Sequence, residues 1–157
     1  MKRGKLVAGV GAAVLVAGAV TAYVVVGAGG NPVDNGTARL AVADVPDVGG
    51  VLVDQAGRVL YFFEKDEKDV VSCTGGCASK WPPLTLAEGQ SKPELGTGSV
   101  AQLVGEAEGE NGVRVVTYNG YPLYRYDSDT AGEATGQNKK QNGGRWFAVT
   151  AAGERVK

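Results

Sequence analysis

One ten-residue motif occurs twice in this chain and decides its fold. The stretches GRVLYFFEKD at Gly57–Asp66 and GYPLYRYDSD at Gly120–Asp129 share the pattern G-x-x-L-Y-x-[FY]-x-x-D. A run that contains β-branched residues precedes each copy, at Val51–Asp54 and at Val113–Tyr118. Self-similarity of this kind predicts a duplicated supersecondary unit.

Each copy of the motif is predicted to form a β-hairpin. The turns fall at Ala56-Gly57 and Asn119-Gly120, and Asn-Gly supplies the positive φ angles that a tight hairpin requires. The stretch Thr130–Gly144 is polar and rich in glycine, so we expect a solvated loop there.

Two repeats of this unit predict a mainly β fold. Trp81 and Trp146 follow the two copies at similar distances, so repeat one is expected at about residues 49–84 and repeat two at about residues 112–149. Together they predict a small antiparallel sandwich or barrel over residues 48–157. The 25 glycines among 157 residues are typical of a chain with many turns and few long helices.

The N-terminal segment predicts an extracytoplasmic protein. Cationic residues at positions 2, 3 and 5 precede an uncharged run over residues 6–30. Leu6–Val26 has about the 20 residues that span a bilayer, and charge on its N-terminal side alone directs the rest of the chain outward. Residues 1–30 are therefore predicted to be a signal peptide or a hydrophobic signal-anchor helix, so the protein is either membrane-anchored or secreted after cleavage.

Residues 31–47 are predicted to be an extended linker between that segment and the domain. They contain Pro32 and Pro46 and no aromatic residue. Proline interrupts helices and central strands, so neither a continuous helix nor a central strand is expected in this stretch.

Charge and composition exclude several classes of function. The chain has 16 lysine and arginine residues and 17 aspartate and glutamate residues, and its formal net charge is −1. This balance argues against nucleic acid as a partner, because nucleic-acid binders carry a basic excess. The chain has no histidine and one methionine, the initiator, so histidine-based catalysis and imidazole or thioether metal sites are excluded.

The aromatic residues of the motif allow two interpretations. Alternate side chains of a strand share a face, so Tyr61 and Phe63 are expected on one face, with Leu60 on the other. The rings either fill a core, with the motif aspartates capping the turns that follow, or form a platform with acidic rims that stacks on sugars. The residues concerned are Tyr61, Phe63, Asp66, Trp81, Tyr118, Tyr124, Tyr126, Asp129 and Trp146.

Cys73 and Cys77 are predicted to form a structural disulfide, because two cysteines outside the cytoplasm usually pair. A redox-active pair and a two-thiolate metal site are the alternatives, although C-x-x-x-C differs from the C-x-x-C of thiol oxidoreductases. Acidic residues near Asp66 offer calcium ligands, but the chain has no D-x-D-x-D-G loop. We therefore predict neither a metal nor another cofactor.

The motifs together resemble a known family. Y-x-[FWY]-x-x-D occurs in both copies, alongside the cysteine pair, KWPPL at residues 80–84 and TYNGYPLY at residues 117–124. This set resembles the bacterial lipoproteins that carry a secreted repeat of unknown function, over roughly Gly49–Val149. The resemblance implies an extracytoplasmic protein of paired repeats and no particular activity. Many members carry a lipidated N-terminal cysteine, whereas this chain has no cysteine before Cys73, which favours a transmembrane anchor.

The sequence thus predicts a membrane-associated protein that is not an enzyme. Its expected role is binding at, or association with, the cell envelope, and its expected partner is an envelope component or another protein. The alternative is an extracytoplasmic redox or electron-transfer component that uses Cys73 and Cys77 or an unrecognised cofactor.

Overall fold

The structure, a computed structural model, describes residues 36–157. The predicted N-terminal helix and residues 31–35 of the predicted linker lie outside the described residues. Within residues 36–157, no helix combines the length and the apolar character that a membrane crossing requires.

The described chain consists mainly of short strands that are joined by turns. One five-residue α-helix, α1, spans Gly76–Lys80, and 3-10 turns span Ala101–Leu103 and Glu110–Gly112. The strands are β1 (Arg39–Val45), β2 (Gly49–Val53), β3 (Tyr61–Phe63), β4 (Glu94–Leu95), β5 (Val104–Glu108), β6 (Arg114–Tyr118), β7 (Tyr121–Pro122), β8 (Lys140–Gln141) and β9 (Gly144–Ala148). The prediction of a mainly β fold is confirmed.

The strands form three small sheets, so the barrel alternative of the prediction is wrong for the described residues. The strand orders are β2-β1-β4, β3-β9-β8 and β5-β6-β7, and these described strands form no closed barrel. All strand pairs are antiparallel except β1 and β4, which run parallel. Each sheet has only three strands, which is too few to close on itself.

The prediction of an extended linker is wrong for Arg39–Val45, which forms β1. This strand pairs with β2 on one side, with Ala41 opposite Val53, and with β4 on the other. Pro46 lies in the turn between β1 and β2, where its missing N–H interrupts no ladder. The proline therefore ends a strand, whereas we expected it to prevent one.

Two tight hairpin turns are built from Asn-Gly. Asn119 and Gly120 have φ angles of 51° and 83° between β6 and β7, which confirms the predicted turn. Asn142 and Gly143, with φ angles of 54° and 81°, make the same turn between β8 and β9. Part of the stretch that was expected to be a loop is therefore a second hairpin of this kind.

The two motif copies cross at the tyrosine that follows the motif leucine. Tyr61 and Tyr124 exchange both backbone hydrogen bonds, at N–O distances of 2.9 and 3.0 Å. Beyond this pair, β3 of repeat one lies against β9 of repeat two. Residues 124–126 of repeat two lie in the same way against residues 81–83 of repeat one. Each motif strand therefore has backbone partners from the other repeat on both edges, and the repeats are interlocked about a pseudo-twofold axis.

The core has two parts, one on each face of the motif strands. Tyr61 and Phe63 belong to one cluster together with both tryptophans, as alternation predicts. Leu60 and Leu123 belong to the other cluster. The two repeats thus contribute equivalent side chains to each part of the core.

Candidate functional site

Four aromatic rings form a continuous stack in the centre of the first cluster. The rings of Trp81 and Trp146 lie parallel with centroids 3.9 Å apart. Phe63 stacks on Trp146 at 4.2 Å, and Tyr126 stacks on Trp81 at 4.3 Å. All four side chains are buried, so they present no platform on the surface. The interpretation of these aromatics as a core is therefore correct, and the sugar-stacking platform is wrong for them.

The motif aspartates cap the loops that follow them, as predicted. Asp66 accepts hydrogen bonds from the backbone N–H and the hydroxyl of Ser72, six residues further along the chain. Asp129 accepts the same two bonds from Thr135, also six residues further along. Both carboxylates are buried, and these bonds satisfy one oxygen of each.

The other carboxylate oxygen of each motif faces the tyrosine of the other repeat. The Tyr61 hydroxyl donates to Asp129 Oδ2 and accepts from the Gly136 backbone N–H. The Tyr124 hydroxyl lies near Asp66 in the equivalent place. Within residues 36–157, however, neither this hydroxyl nor Asp66 Oδ2 has a partner with full hydrogen-bond geometry. The Tyr61–Asp129 hydrogen bond and the facing groups of Tyr124 and Asp66 together form the brace between the repeats.

Burial dominates the acid–base behaviour of this brace. Burial, supported by the neighbouring carboxylate, raises the pKa of Tyr61 and of Tyr124 above the ordinary range for tyrosine. Burial also raises the pKa of Asp66 and of Asp129, although hydrogen bonds from the neighbouring hydroxyl and N–H groups act in the opposite direction.

A second reciprocal contact links the repeats through a basic residue before each tryptophan. Lys80 Nζ lies 3.0 Å from Asp127 Oδ2. In the equivalent place, the backbone N–H of Arg145 donates to Glu64 Oε2 at 2.9 Å. The ion pair lowers the pKa of Asp127 and raises that of Lys80. Sequence analysis missed these contacts, although a basic residue precedes the tryptophan in each repeat, as Lys-Trp in the first and Arg-Trp in the second.

Sequence analysis also missed a buried ion pair between the repeats. Arg125 Nε lies 2.6 Å from Asp54 Oδ2, and Arg58 contacts the same oxygen. The other Asp54 oxygen accepts from the backbone N–H groups of Ala56 and Arg58, which fixes the first predicted turn. The position of Asp54 directly before a turn that contains glycine was the available signal that its side chain caps the turn.

The predicted disulfide between Cys73 and Cys77 is present, with Cα atoms 5.2 Å apart. Cys73 is buried in the aromatic cluster, whereas Cys77 is half-buried on α1. At the end of α1, the Trp81 N–H donates to the Cys77 carbonyl at 2.8 Å. The disulfide therefore fixes α1 to the core at one end, and the tryptophan fixes it at the other.

An open cleft of about 420 Å³ lies where the two repeats meet beside α1. Gln141 is one of the residues of its wall: its Oε1 accepts from Trp81 Nε1 at 2.9 Å, and its backbone carbonyl accepts from Trp146 Nε1 at 3.3 Å. Both indoles of the stack thus hold one residue of the cleft. The lining comprises Gly76, Ser79 and Lys80 from repeat one and Asp127, Gln141 and Asn142 from repeat two.

Tyr118 lies apart from the other candidate site residues. It belongs to the second core cluster, where its hydroxyl accepts from the Val100 N–H and donates to the Ala151 carbonyl. Within residues 36–157, no three cysteine, aspartate or glutamate side chains are grouped as metal ligands.

These features define a β domain of two interlocked repeats. The profile of a protein family described as a secreted repeat of unknown function matches residues 42–85 and 105–150, which is more than half of the chain. The chain belongs to this family, and the two matches agree with the internal duplication. The matched segments begin within β1 and β5, so each repeat starts one strand earlier than the sequence predicts. No curated protein and no solved structure matches the chain.

The family name indicates a secreted protein, which agrees with the predicted extracytoplasmic location.

Proposed function

We propose that this protein is a non-enzymatic binding module of the cell envelope, and that its ligand enters the cleft between the repeats. The observation that carries the proposal is the position of Gln141. This residue lines the cleft and accepts a hydrogen bond from each of the two stacked indoles. Ordering a binding residue before the ligand arrives reduces the entropic cost of binding.

The lining of the cleft is suited to hydrogen bonding rather than to nucleophilic catalysis. It offers an ammonium group, a carboxylate, two amides and a hydroxyl. The Ser79 hydroxyl contacts the backbone carbonyl of Gly75 rather than a general base. A polar, hydroxyl-rich or charged polymer fragment matches such a lining.

We further propose that residues 1–30 hold the domain at the outer face of the membrane. The cationic start and the apolar run of this segment support an anchor, and the absence of a cysteine before Cys73 excludes lipidation of a cysteine there. An anchored cleft would meet envelope polymers at high local concentration.

Tryptophan fluorescence of the full-length protein tests the binding proposal. Trp81 and Trp146 are the only tryptophans in the chain, and both contact Gln141. We expect soluble peptidoglycan fragments or wall polysaccharides to produce a saturable change in emission. No saturable change with any envelope fraction would overturn the proposal.

A matched pair of variants locates the site. Asn142 lines the cleft and Asn111 does not, yet both have φ near 55° and precede glycine. Glycine tolerates this backbone conformation, so Asn142→Gly and Asn111→Gly remove the same amide at similar conformational cost. We expect weaker binding only for Asn142→Gly. Equal binding by the two variants would place the ligand elsewhere.

A further inference from the structure

We infer that the ligand of this cleft is an anionic polymer, whose carboxylate or phosphate groups bind the ammonium group of Lys80. This inference rests on the proposed function and names the chemical class of the ligand.

One cation, Lys80, lines the cleft, and three further cations lie on or next to the β8–β9 hairpin. The formal net charge of −1 includes the cations at positions 2, 3 and 5, which lie before the described domain. Lys80 lines the cleft, and Lys140 and Arg145 face each other in the β8–β9 hairpin that carries Gln141. Lys139 lies on the same hairpin, with its Nζ 5.1 Å from the centroid of the Tyr126 ring.

Two carboxylates lie close to these cations. Asp127 lines the cleft, and Glu64 accepts from the backbone N–H of Arg145. These four cations therefore outnumber the two carboxylates. Such a local excess favours an anionic ligand beside the cleft of a chain whose formal net charge is only −1.

Lys80 can bind an anion without large rearrangement. Its ammonium group has three donors, and the contact with Asp127 Oδ2 uses one of them. Both partners are accessible, with side-chain exposures of 51% for Lys80 and 36% for Asp127, and exposed ion pairs contribute little to stability. Asp127 keeps a hydrogen bond from the Ser128 hydroxyl when it releases Lys80.

The amide groups of the cleft add donors for the same ligand. Gln141 accepts from both indoles through its oxygens, and no hydrogen bond among the described residues uses its NH₂ group. Asn142 beside it contributes a second amide. Donors arranged around one ammonium group suit the several acceptor oxygens of a phosphate or a carboxylate.

The test titrates the full-length protein in detergent with three soluble polymers and follows tryptophan fluorescence. Polyphosphate and polyglutamate present the two anionic groups, and dextran presents hydroxyls without charge. We expect at least one of the two anionic polymers to bind, with a Kd that rises several-fold as salt is increased. The tighter of the two identifies whether phosphate or carboxylate is the preferred group.

Two variants with opposite expected effects distinguish charge recognition from damage to the fold. Lys80→Gln is expected to raise the Kd about tenfold, because it removes a charge-assisted hydrogen bond. Asp127→Asn is expected to lower the Kd, because it removes the carboxylate that competes for Lys80. Lys92→Gln, at an exposed lysine outside the cleft lining, is the control and should leave the Kd unchanged.

The outcomes separate this inference from the proposed function. Binding of dextran or of neutral wall fragments, with no effect of salt or of Lys80→Gln, would overturn the anionic ligand and keep the binding module. Weaker binding by both cleft variants would also overturn it, since that pattern indicates structural damage. Absence of binding by every polymer and every envelope fraction would overturn both.

Discussion

The buried carboxylates of Asp66 and Asp129 show how the motif works at the scale of single residues. An aspartate in a core is costly unless hydrogen bonds replace its water. Asp129 receives bonds from the backbone and the hydroxyl of Thr135 and from the Tyr61 hydroxyl. The aspartate thus joins a loop of its own repeat to a strand of the other.

Removal of one hydroxyl tests this brace. Tyr61→Phe is expected to lower the free energy of unfolding by about 1–3 kcal/mol, because it leaves a buried carboxylate oxygen without its donor. Tyr121→Phe removes a hydroxyl from a half-buried ring of the second cluster and is the control, with a smaller expected loss. Urea denaturation measures both, and equal losses would contradict the brace.

The brace also predicts an unusual titration. Burial raises the folded-state pKa of Asp66 and Asp129 above the ordinary value of 3.8, whereas Lys80 lowers that of Asp127. As the pH falls towards 3.8, the folded state therefore takes up protons at the two buried sites before the unfolded state does. Their contribution to stability is complete below the ordinary pKa and declines as the pH rises through the raised pKa.

Carboxyl carbon NMR of the folded protein measures this directly. The resonances of Asp66 and Asp129 are expected to titrate above pH 3.8, and that of Asp127 below it. Titration of the two buried carboxyls below that of Asp127 would contradict the assignment of burial as the dominant cause.

At the scale of elements, local chemistry determined what the sequence could predict. The hairpin at Asn119-Gly120 was predictable because two neighbouring residues specify its backbone angles. The hairpin at Asn142-Gly143 carries the same signal, but the polar residues around it favoured a loop. β1 was missed because Pro46 was taken to interrupt a strand that it follows. The alternation of the motif strands was correct because it needs no knowledge of the partner strand.

The candidate cleft was not predictable, because it depends on contacts between residues that are distant in the sequence. Lys80 and Asp127 are far apart in the sequence, as are Trp81 and Gln141, and each pair forms only when the repeats cross. The sequence shows that both repeats contain an acid in the motif and a basic residue before tryptophan. It does not show whether the acid of one repeat contacts the basic residue of the same repeat or of the other.

The disulfide gives a prediction about α1. It closes a five-residue loop, so the chain-entropy estimate assigns it about 2 kcal/mol of stability. A variant with Cys73→Ala and Cys77→Ala is expected to lose about that amount in urea denaturation. Ser79→Ala, at an exposed position of the same helix, is the control and should change stability little. An unchanged stability in the double variant would show that the disulfide does not constrain the unfolded chain.

At the scale of the whole molecule, the sheet that contains β3 is shared between the two repeats. β3 has β9 on one edge and Tyr124 on the other, and both belong to repeat two. The buried pair of Asp54 and Arg125 also joins the repeats. The repeats are therefore expected to fold together as one cooperative unit.

Separation of the repeats tests this cooperativity. Fragments 36–98 and 99–157 are each expected to lack the near-ultraviolet circular dichroism of the Trp81–Trp146 stack, because each contains one of the two indoles. An equimolar mixture is expected to recover part of that signal. The uncut chain is the control, and a native-like signal from either fragment alone would contradict interdependent folding.

The brace also limits how proteins of this architecture can grow. In each repeat, the motif tyrosine faces the aspartate of the other repeat, and the motif aspartate faces the tyrosine of the other repeat. Tyr61 and Asp129 are one such pair. We therefore expect repeats of this kind to fold in pairs. A single added repeat would leave its motif aspartate without a tyrosine donor unless the other strands rearranged.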